Sequence, residues 1–404
     1  MSENRFDVVV VGAGMVGAAV ALGLARKNLT VALVEPFPPE AFQPEQVPDS
    51  RVSAISLASE TLMQNLGAWK HVLAMRSSPY RRLSVWETAS GKIAFDARDA
   101  GYAHMGHMVE NRILQLALHQ ELRQLDQVQW FQQAELIDEF AGEIKLDNQI
   151  SVANLIVAAD GANSAMRNQA GIGTQGWQYS QSVLGVTVQC ADSNAHRDIS
   201  DMTWQVFHPS GPRAFLPMYE RFASLVWYDD PQTVQRLKSM DNAALKAQIQ
   251  AQFPDCLPDF SILSTASFPL TRMHAQRYVQ GRLALVGDSA HTINPLAGQG
   301  VNLGFKDAEA LITSVSDALW KASEMSNNNP LCNSADPQIK AALAQYQQQR
   351  QQQNLIMMSA MDALYLTFSN DLRPLKQIRN LALTVAGKAG WAKSQVMKYA
   401  MGMT

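Results

Sequence analysis

The chain opens with an uncharged, largely apolar run from Val8 to Ala25 whose pattern changes partway. Four consecutive valines, Val8–Val11, show no polar alternation and predict a strand buried on both faces, as in a parallel sheet. After Met15 the apolar spacing takes a helical period, and Gly12, Gly14 and Gly17 stand between the two patterns. The run therefore predicts strand, glycine turn and helix. Thr30–Val34 predicts a second strand ending at Glu35. The glycines, the preceding Asp7 and the lack of a basic leader argue against a secretory signal or a membrane span.

Further along, Arg82–Ala97 predicts a hairpin turning at Ser90-Gly91, and Val109–Leu122 an amphipathic helix. Ile156–Ala159 predicts another apolar strand, ending in an Asp160-Gly161 turn that opens a helix. From Ser182 to Phe268 the character changes. Val183–Gln189, Thr203–Phe207, Arg213–Pro217 and Ala223–Tyr228 alternate, predicting antiparallel strands, with Thr233–Phe253 as a covering helix. Leu283–Val286 predicts a buried strand, followed by the sharp turn Gly287-Asp288 and a helix start near Gly298 and Gly300. Ser326–Asp336 is a polar loop, and Asp336-Pro337 an N-cap and first-turn pair opening a helix to about Tyr365. The chain contains no internal repeat.

Composition narrows the class. At 404 residues, with 47% hydrophobic and 17% charged positions, the chain is globular and long enough for more than one domain. Cys190, Cys256 and Cys332 lie far apart without CxxC pairs, so neither a disulfide framework nor a metal site is expected, and a reducing cytoplasm fits. A net charge of −3 gives no reason to expect a nucleic-acid partner. The charge is uneven: beyond Asp371 there are six basic residues and no acid, leaving −9 on the rest.

Three turns carry candidate chemistry. Gly12-x-Gly14-x-x-Gly17 sits between strand and helix, where a dinucleotide fingerprint requires it: the first glycine for the turn, the second for approach of a pyrophosphate, the third for helix–strand packing. Glu35 then stands where it can accept hydrogen bonds from an adenosine ribose. Up to this point the nucleotide could be NAD or FAD. Arg51, just before a helix start rich in small residues, suits a second phosphate or a ribityl contact. Asp288 ends a strand where open α/β sheets place their ligands, and Gly298 and Gly300 clear space at a helix N-terminus that could face a flat anionic ring. Trp204, Phe215, Trp227 and Tyr228 either wall a pocket for a flat ring or pack the core, with core packing the expectation for each.

Taken together and in order, Gly12/Gly14/Gly17, DGANSAMR at 160–167 and GDSAHTINPLAGQGVN at 287–302 resemble the FAD-dependent aromatic hydroxylases, the single-component flavin monooxygenases. The flanking text PYRRLSVWE, GHMVENRILQLAL, GPRAFLPM and SLVWYD resembles, within them, the ubiquinone-biosynthesis hydroxylases from end to end. The resemblance implies an α/β fold: a Rossmann-like FAD-binding domain in three parts (1–79, 101–180, 276–325), an inserted antiparallel β substrate domain (181–275) joined by a hairpin at 80–100, and C-terminal helices (337–404). It implies FAD as cofactor, NAD(P)H as co-substrate and O2, and hydroxylation of the ring of a polyprenylated methoxy-methyl-benzoquinol.

On the matching residues, the resemblance puts Glu35 at the ribose and Asp288 at the ribityl chain. Pro295 lies near the flavin's reactive edge, and Gly298 and Gly300 bring N–H groups to the pyrimidine end. Asn302 closes the same motif. Asp160 and Arg167 shape the cleft for NAD(P)H, and Pro217 falls where relatives place a residue over the flavin. His291 is a candidate either for proton transfer or for a local hydrogen bond. One departure stands out: Asn111 occupies a position where many relatives have arginine, and neighbouring Arg112 would point elsewhere on a helix.

Two other readings remain at this level: action at another ring position or on another aromatic substrate, and a non-catalytic FAD-binding scaffold of a biosynthetic complex. The halogenase motif Trp-x-Trp-x-Ile-Pro is absent. In the basic tail, Leu375, Ile378, Ala382, Val385, Ala389, Ala392, Val396 and Tyr399 form an apolar stripe. That stripe suits peripheral contact with the inner face of the cytoplasmic membrane, a protein partner, or docking on the chain's own core. Oligomeric state is left open.

Overall fold

The computed structural model describes residues 4–88, 91–293, 300–328 and 336–368, together with Met397, Met401 and Gly402. Its first sheet grows around the valine run. Asn4–Val11 pairs in parallel with Val31–Val34 on one side and with Gln149–Ala158 on the other. Leu283–Leu285 lies parallel beyond Gln149–Ala158, and Val128–Phe131 parallel beyond Val31–Val34. Val8, Val9 and Val10 are fully buried. The helix Met15–Ala25 packs against the long helix Gly300–Asn328 closely enough that a Cβ on Gly23 would lie 2.4 Å from Ile312 Cδ1. This close packing accounts for an apolar helix face interrupted by glycine.

The parallel arrangement has one outcome that matters for everything below. Val11, Ala158 and Leu285 are register neighbours on adjacent strands, so the turns after them emerge side by side at one sheet edge. Ala159 N–H donates to Val11 O over 2.8 Å and Val286 N–H to Ala158 O over 3.1 Å. Three motifs spread along the sequence are thereby gathered at the carboxyl ends of three strands, the usual ligand position in such sheets.

The second sheet runs in the order His291–Thr292, Phe260–Ala275, Thr174–Cys190, Phe222–Asp229, Arg213–Pro217, Met202–Val206, Arg82–Trp86, Ile93–Asp96. The hairpin of Arg82–Trp86 and Ile93–Asp96 joins it through parallel pairing with Met202–Val206. Thr174–Cys190 is far longer than the expected Val183–Gln189 because it pairs along its length with Phe260–Ala275. The single helix expected over Thr233–Phe253 is two, Pro231–Lys238 and Asn242–Gln252. Asp230 caps the first, accepting from the Gln232 and Thr233 N–H groups, and Asp241 caps the second from Ala244 N–H. The helix expected from Val109 begins at Asn111, since Val109 and Glu110 finish the strand Gly106–Glu110, the centre of a third, three-stranded sheet.

Core packing, not a pocket wall, accounts for the aromatic residues of the second sheet. Trp204 and Phe215 are fully buried and stacked at 5.7 Å, with Phe253 set edge-on to Trp204 and to Trp227. Tyr228 is buried in a separate cluster with Tyr179 and Leu270. The helix Gly300–Asn328 extends into the expected polar loop, and the rest of that loop up to residue 335 lies outside the described residues. The last described helix, Asp336–Phe368, starts at the expected Asp336. The apolar stripe of the tail lies outside the described residues. Met397 and Met401 are buried against Ala54, Tyr80, Phe95 and Met108, and Met401 O accepts from Ala58 N–H over 3.2 Å. Among the described residues no helix is long and apolar enough to cross a membrane.

Candidate active site

The glycine turn separates two kinds of requirement. Gly12 has φ +98, and a Cβ there would lie 2.5 Å from Ala159 O; at Gly17 a Cβ would lie 1.9 Å from Gly12 O. These two are demanded by the protein's own packing. Gly14 is different: a Cβ there would meet nothing within 4 Å. It caps the helix Met15–Ala25 without any side-chain hydrogen bond, so no cap side chain occupies the first N–H groups of the helix, the groups that bind anions at helix N-termini. The turn is braced from behind by Gln115 Nε2 and His119 Nε2, which reach Ala13 O at 2.9 and 2.7 Å. Burial lowers the pKa of His119, favouring the neutral ring.

Glu35, half-buried, accepts from Ala13 N–H through Oε2 and from Phe37 N–H through Oε1, each at 3.0 Å. A carboxylate has about four lone-pair sites, so acceptor capacity remains beyond the two hydrogen bonds already made. Arg51 is exposed at the start of the strand Val52–Ser56. Asp288 is exposed in the short turn Gly287–Ser289. Desolvation raises its carboxyl, with His291 and Arg51 pulling in the opposite direction. Arg112 spends its guanidinium on Asp49 and on the Glu40 and Ala41 carbonyls, and Asn111 accepts from Ser53 Oγ.

At the middle turn, Asp160 Oδ2 accepts from Met166 N–H over 3.1 Å, while Oδ1 is buried without a partner. A buried acceptor without a partner is costly in a folded protein, which marks Asp160 Oδ1 as a position where a ligand's donor would be favoured. Beside it Gly161 has φ +82 and open space where a Cβ would stand. Arg167 is 6% exposed and donates to Ser289 O and Ala162 O, both at 2.9 Å. It pins the middle turn to the last one, and burial lowers its pKa.

The last turn rests on a buried polar network that the sequence reading missed. Gly287, at φ +60, donates its N–H to Asp307 Oδ2 over 3.0 Å, and His291 Nε2 lies 2.5 Å from the same oxygen. Asp307 Oδ1 accepts from Arg350 Nε at 2.7 Å and Asn354 Nδ2 at 2.9 Å. Asp307 is held at a pKa of about 2: burial raises it, and His291, Arg350 and Asn354 outweigh that. Tyr346 OH donates to Leu285 O, and the nearby His274 is pushed down to about 4 by burial. His291 itself is 2% exposed. Its Nε2 is engaged with Asp307, the local hydrogen bond of the two roles expected for it.

Asn302 is also turned inward. Its Oδ1 accepts from Ser56 N–H and Ser59 Oγ, and its Nδ2 donates to Ala54 O, fastening the long helix to the 54–59 segment. Gly300, at the start of that helix, has open space where a Cβ would stand. Pro295 and Gly298 lie outside the described residues. Pro217 is buried at the end of Arg213–Pro217, paired with Ala223. A further bridge escaped the sequence reading: Arg76, bidentate on Glu110, donates to Tyr219 OH over 3.0 Å and so ties the three-stranded sheet to the turn between Arg213–Pro217 and Phe222–Asp229 of the second sheet.

An uncapped helix N-terminus, an orphaned carboxylate oxygen and an accessible Asp288 on one sheet edge together fit a long, hydrogen-bonding dinucleotide. The family model described as "FAD binding domain" matches residues 5–325. Over the full length of both chains, the sequence is 44% identical to 3-demethoxyubiquinol 3-hydroxylase of Escherichia coli (strain K12). It is 34% identical to ubiquinone hydroxylase UbiL of Rhodospirillum rubrum, over 99% of this chain and 90% of that one. Among solved structures, p-nitrophenol 4-monooxygenase PnpA of Pseudomonas putida DLL-E4 superposes with a TM-score of 0.76 at 17% identity, over 99% of this chain and 98% of that one.

Proposed function

Since the chain belongs to the FAD binding domain family, and within it to the flavin hydroxylases of ubiquinone biosynthesis, we propose that its substrate is a polyprenylated methoxy-methyl-benzoquinol, hydroxylated on the ring. Hydroxylation of a demethoxyubiquinol is the reaction named for the Escherichia coli relative, and it supports this choice. FAD reduced by NAD(P)H supplies the electrons that activate O2, one oxygen atom going to the ring and the other to water.

The chain's own part is to bind and orient. The observation that carries the reading is the meeting of Gly14, Asp160 and Asp288 on one edge. The open helix N-terminus beside Gly14 receives a pyrophosphate, Glu35 a ribose, and Asp288 the ribityl hydroxyls. Asp160 Oδ1 offers its spare acceptor to a donor entering the cleft. Arg167 and Asp307 act one step back, fixing the turns so that the donors are aligned before the ligand arrives. Pro217 and Pro295 are proposed to border the flavin ring. A quinol ring is electron-rich, so no triad or metal is asked of the protein for the oxygen transfer.

A polyprenyl chain does not travel through water, since each buried CH₂ is worth about 0.8 kcal/mol. Peripheral contact with the inner face of the cytoplasmic membrane, or delivery by other proteins of the pathway, completes the proposal, with the basic tail as the contact. The test is quinone profiling by mass spectrometry in cells lacking the protein. Accumulation of the prenylated methoxy-methyl-benzoquinone is expected; accumulation of a phenol lacking the methoxy group as well assigns another ring position. Purified protein should oxidise NAD(P)H faster when a short-chain quinol is added. A pure scaffold would not.

A further inference from the structure

We infer that Glu60, His104 and His107 form a site for a divalent transition-metal ion of the Zn²⁺ class, with a fourth position open to water. Glu60 stands in the first turn of the helix Leu57–Asn65, His107 on the strand Gly106–Glu110, and His104 just before that strand. Glu60 Oε2 lies 2.8 Å from His104 Nε2 and 3.2 Å from His107 Nδ1, and one ligand atom from each residue falls within 4.8 Å of the other two.

The dimensions suit a tetrahedral ion. Metal–ligand bonds of about 2.0–2.1 Å put neighbouring ligand atoms about 3.3 Å apart, so both gaps at Glu60 need to open by no more than about 0.5 Å. Two imidazoles and one carboxylate are the donor set of an open zinc site, whereas Ca²⁺ or Mg²⁺ asks for a shell of oxygens. The ligands are also held in place. Gln64 Nε2 donates to Glu60 Oε1 over 3.0 Å, orienting the carboxylate. His107 packs edge-on against Trp69 at 5.1 Å and against His104 at 4.6 Å. Glu60 and His107 are buried, and half-buried His104 leaves an approach from outside.

The sequence hides this cluster, because 44 residues separate Glu60 from His104 and only the pairing of Val52–Ser56 with Gly106–Glu110 brings them together. The cluster's helix is the one whose Ser56 and Ser59 hold Asn302, so an ion there would clamp the helix to the three-stranded sheet and stiffen the support of the cofactor motif. The competing state is a carboxylate shared by two imidazole N–H groups with no ion.

The experiment uses the full-length, flavin-loaded protein, stripped with a chelator and titrated calorimetrically with Zn²⁺. A parallel titration with Co²⁺ follows absorption beyond the flavin bands. One Zn²⁺ per chain is expected, with a tetrahedral Co²⁺ band that Zn²⁺ displaces. Binding should weaken at least a hundredfold in His104→Gln and in Glu60→Gln, with flavin content unchanged in His104→Gln. Absence of binding to the wild-type protein overturns the inference, and so does binding of equal strength in His104→Gln. Should either variant fail to fold, the wild-type Co²⁺ spectrum decides: no tetrahedral band, no site.

Discussion

Arg350, on the last described helix, donates its Nε–H to Asp307 Oδ1 over 2.7 Å while the other oxygen of that carboxylate holds the Gly287 N–H and the His291 ring. The turn that carries Asp288 is thus supported by a helix that supplies none of the three motifs. Asp307→Asn leaves Arg350 buried without its counter-charge, and loss of one partner of such a pair costs about 3–5 kcal/mol. Urea denaturation should show that loss, with weaker flavin retention.

The same carboxylate makes an acid prediction. Its folded-state pKa of about 2 lies below its ordinary 3.8, so the stability it contributes is complete above the ordinary value and disappears as pH falls through about 2. Denaturation followed from pH 5 downward should show the wild-type protein losing more stability than Asp307→Asn across that window. Parallel curves would place the acid sensitivity elsewhere.

Gly14→Val should fold and fail to hold FAD, because a Cβ at Gly14 meets no protein atom within 4 Å and the proposed function gives that space to the cofactor's pyrophosphate. Flavin content per chain and circular dichroism of the same sample check both halves. Glu35→Gln keeps an acceptor for the ribose but weakens the hydrogen bonds from Ala13 and Phe37 N–H, so a loss of about 1–2 kcal/mol in FAD affinity is expected. Full flavin content in Gly14→Val would falsify the placement of the pyrophosphate.

Trp204→Ala should cost about 3–5 kcal/mol of stability as a large buried ring is removed from its stack on Phe215. Chemical denaturation measures it. Turnover per folded, flavin-loaded molecule should remain near the wild-type value; a selective fall in substrate affinity would return Trp204 to the pocket wall.

Removal of everything after Asp371 takes away Met397 and Met401, which are buried against Ala54 and Met108, and the Met401 carbonyl that receives Ala58 N–H. A lower melting temperature and loss of FAD are expected, with Met401→Ala alone costing about 2–4 kcal/mol. If the truncated protein keeps both properties and loses only binding to anionic vesicles, the tail serves the membrane alone.

How far the sequence could be read depended on whether the signal was local. The unbroken valines of Val8–Val11 announced a strand covered on both faces, and the glycine spacing after them announced the turn, because both follow from neighbours a few positions apart. The break between Pro231–Lys238 and Asn242–Gln252 was also written locally, in Asp241, but apolar periodicity on both sides masked the cap. Asp307, Arg350 and Asn354 gave no warning. They sit on two helices whose polar residues resemble solvated faces until the helices pack and close the network. For His291, spacing allowed two roles, and the 2.5 Å approach to Asp307, from a residue 16 positions on, could not be read from the chain. The aromatic residues of the second sheet were legible as core because bulk and alternation suffice to bury them.

The strand order of the first sheet also sets a timetable. Asn4–Val11 gains its neighbour Gln149–Ala158 only after that stretch is made, and Leu283–Leu285 comes later still. At about 5–20 residues per second of synthesis, the nascent valine strand, already beside Val31–Val34, waits roughly 8–30 s for its second partner and the sheet remains open about as long again. Pairings so distant along the chain form slowly, because loop closure precedes any reward from contact. A ribosome-bound chain that stops short of residue 285 therefore leaves Ile156, Val157 and Ala158 without their neighbour Leu283–Leu285, an unpaired apolar edge, and such intermediates should be clients for chaperones, while the completed molecule is not.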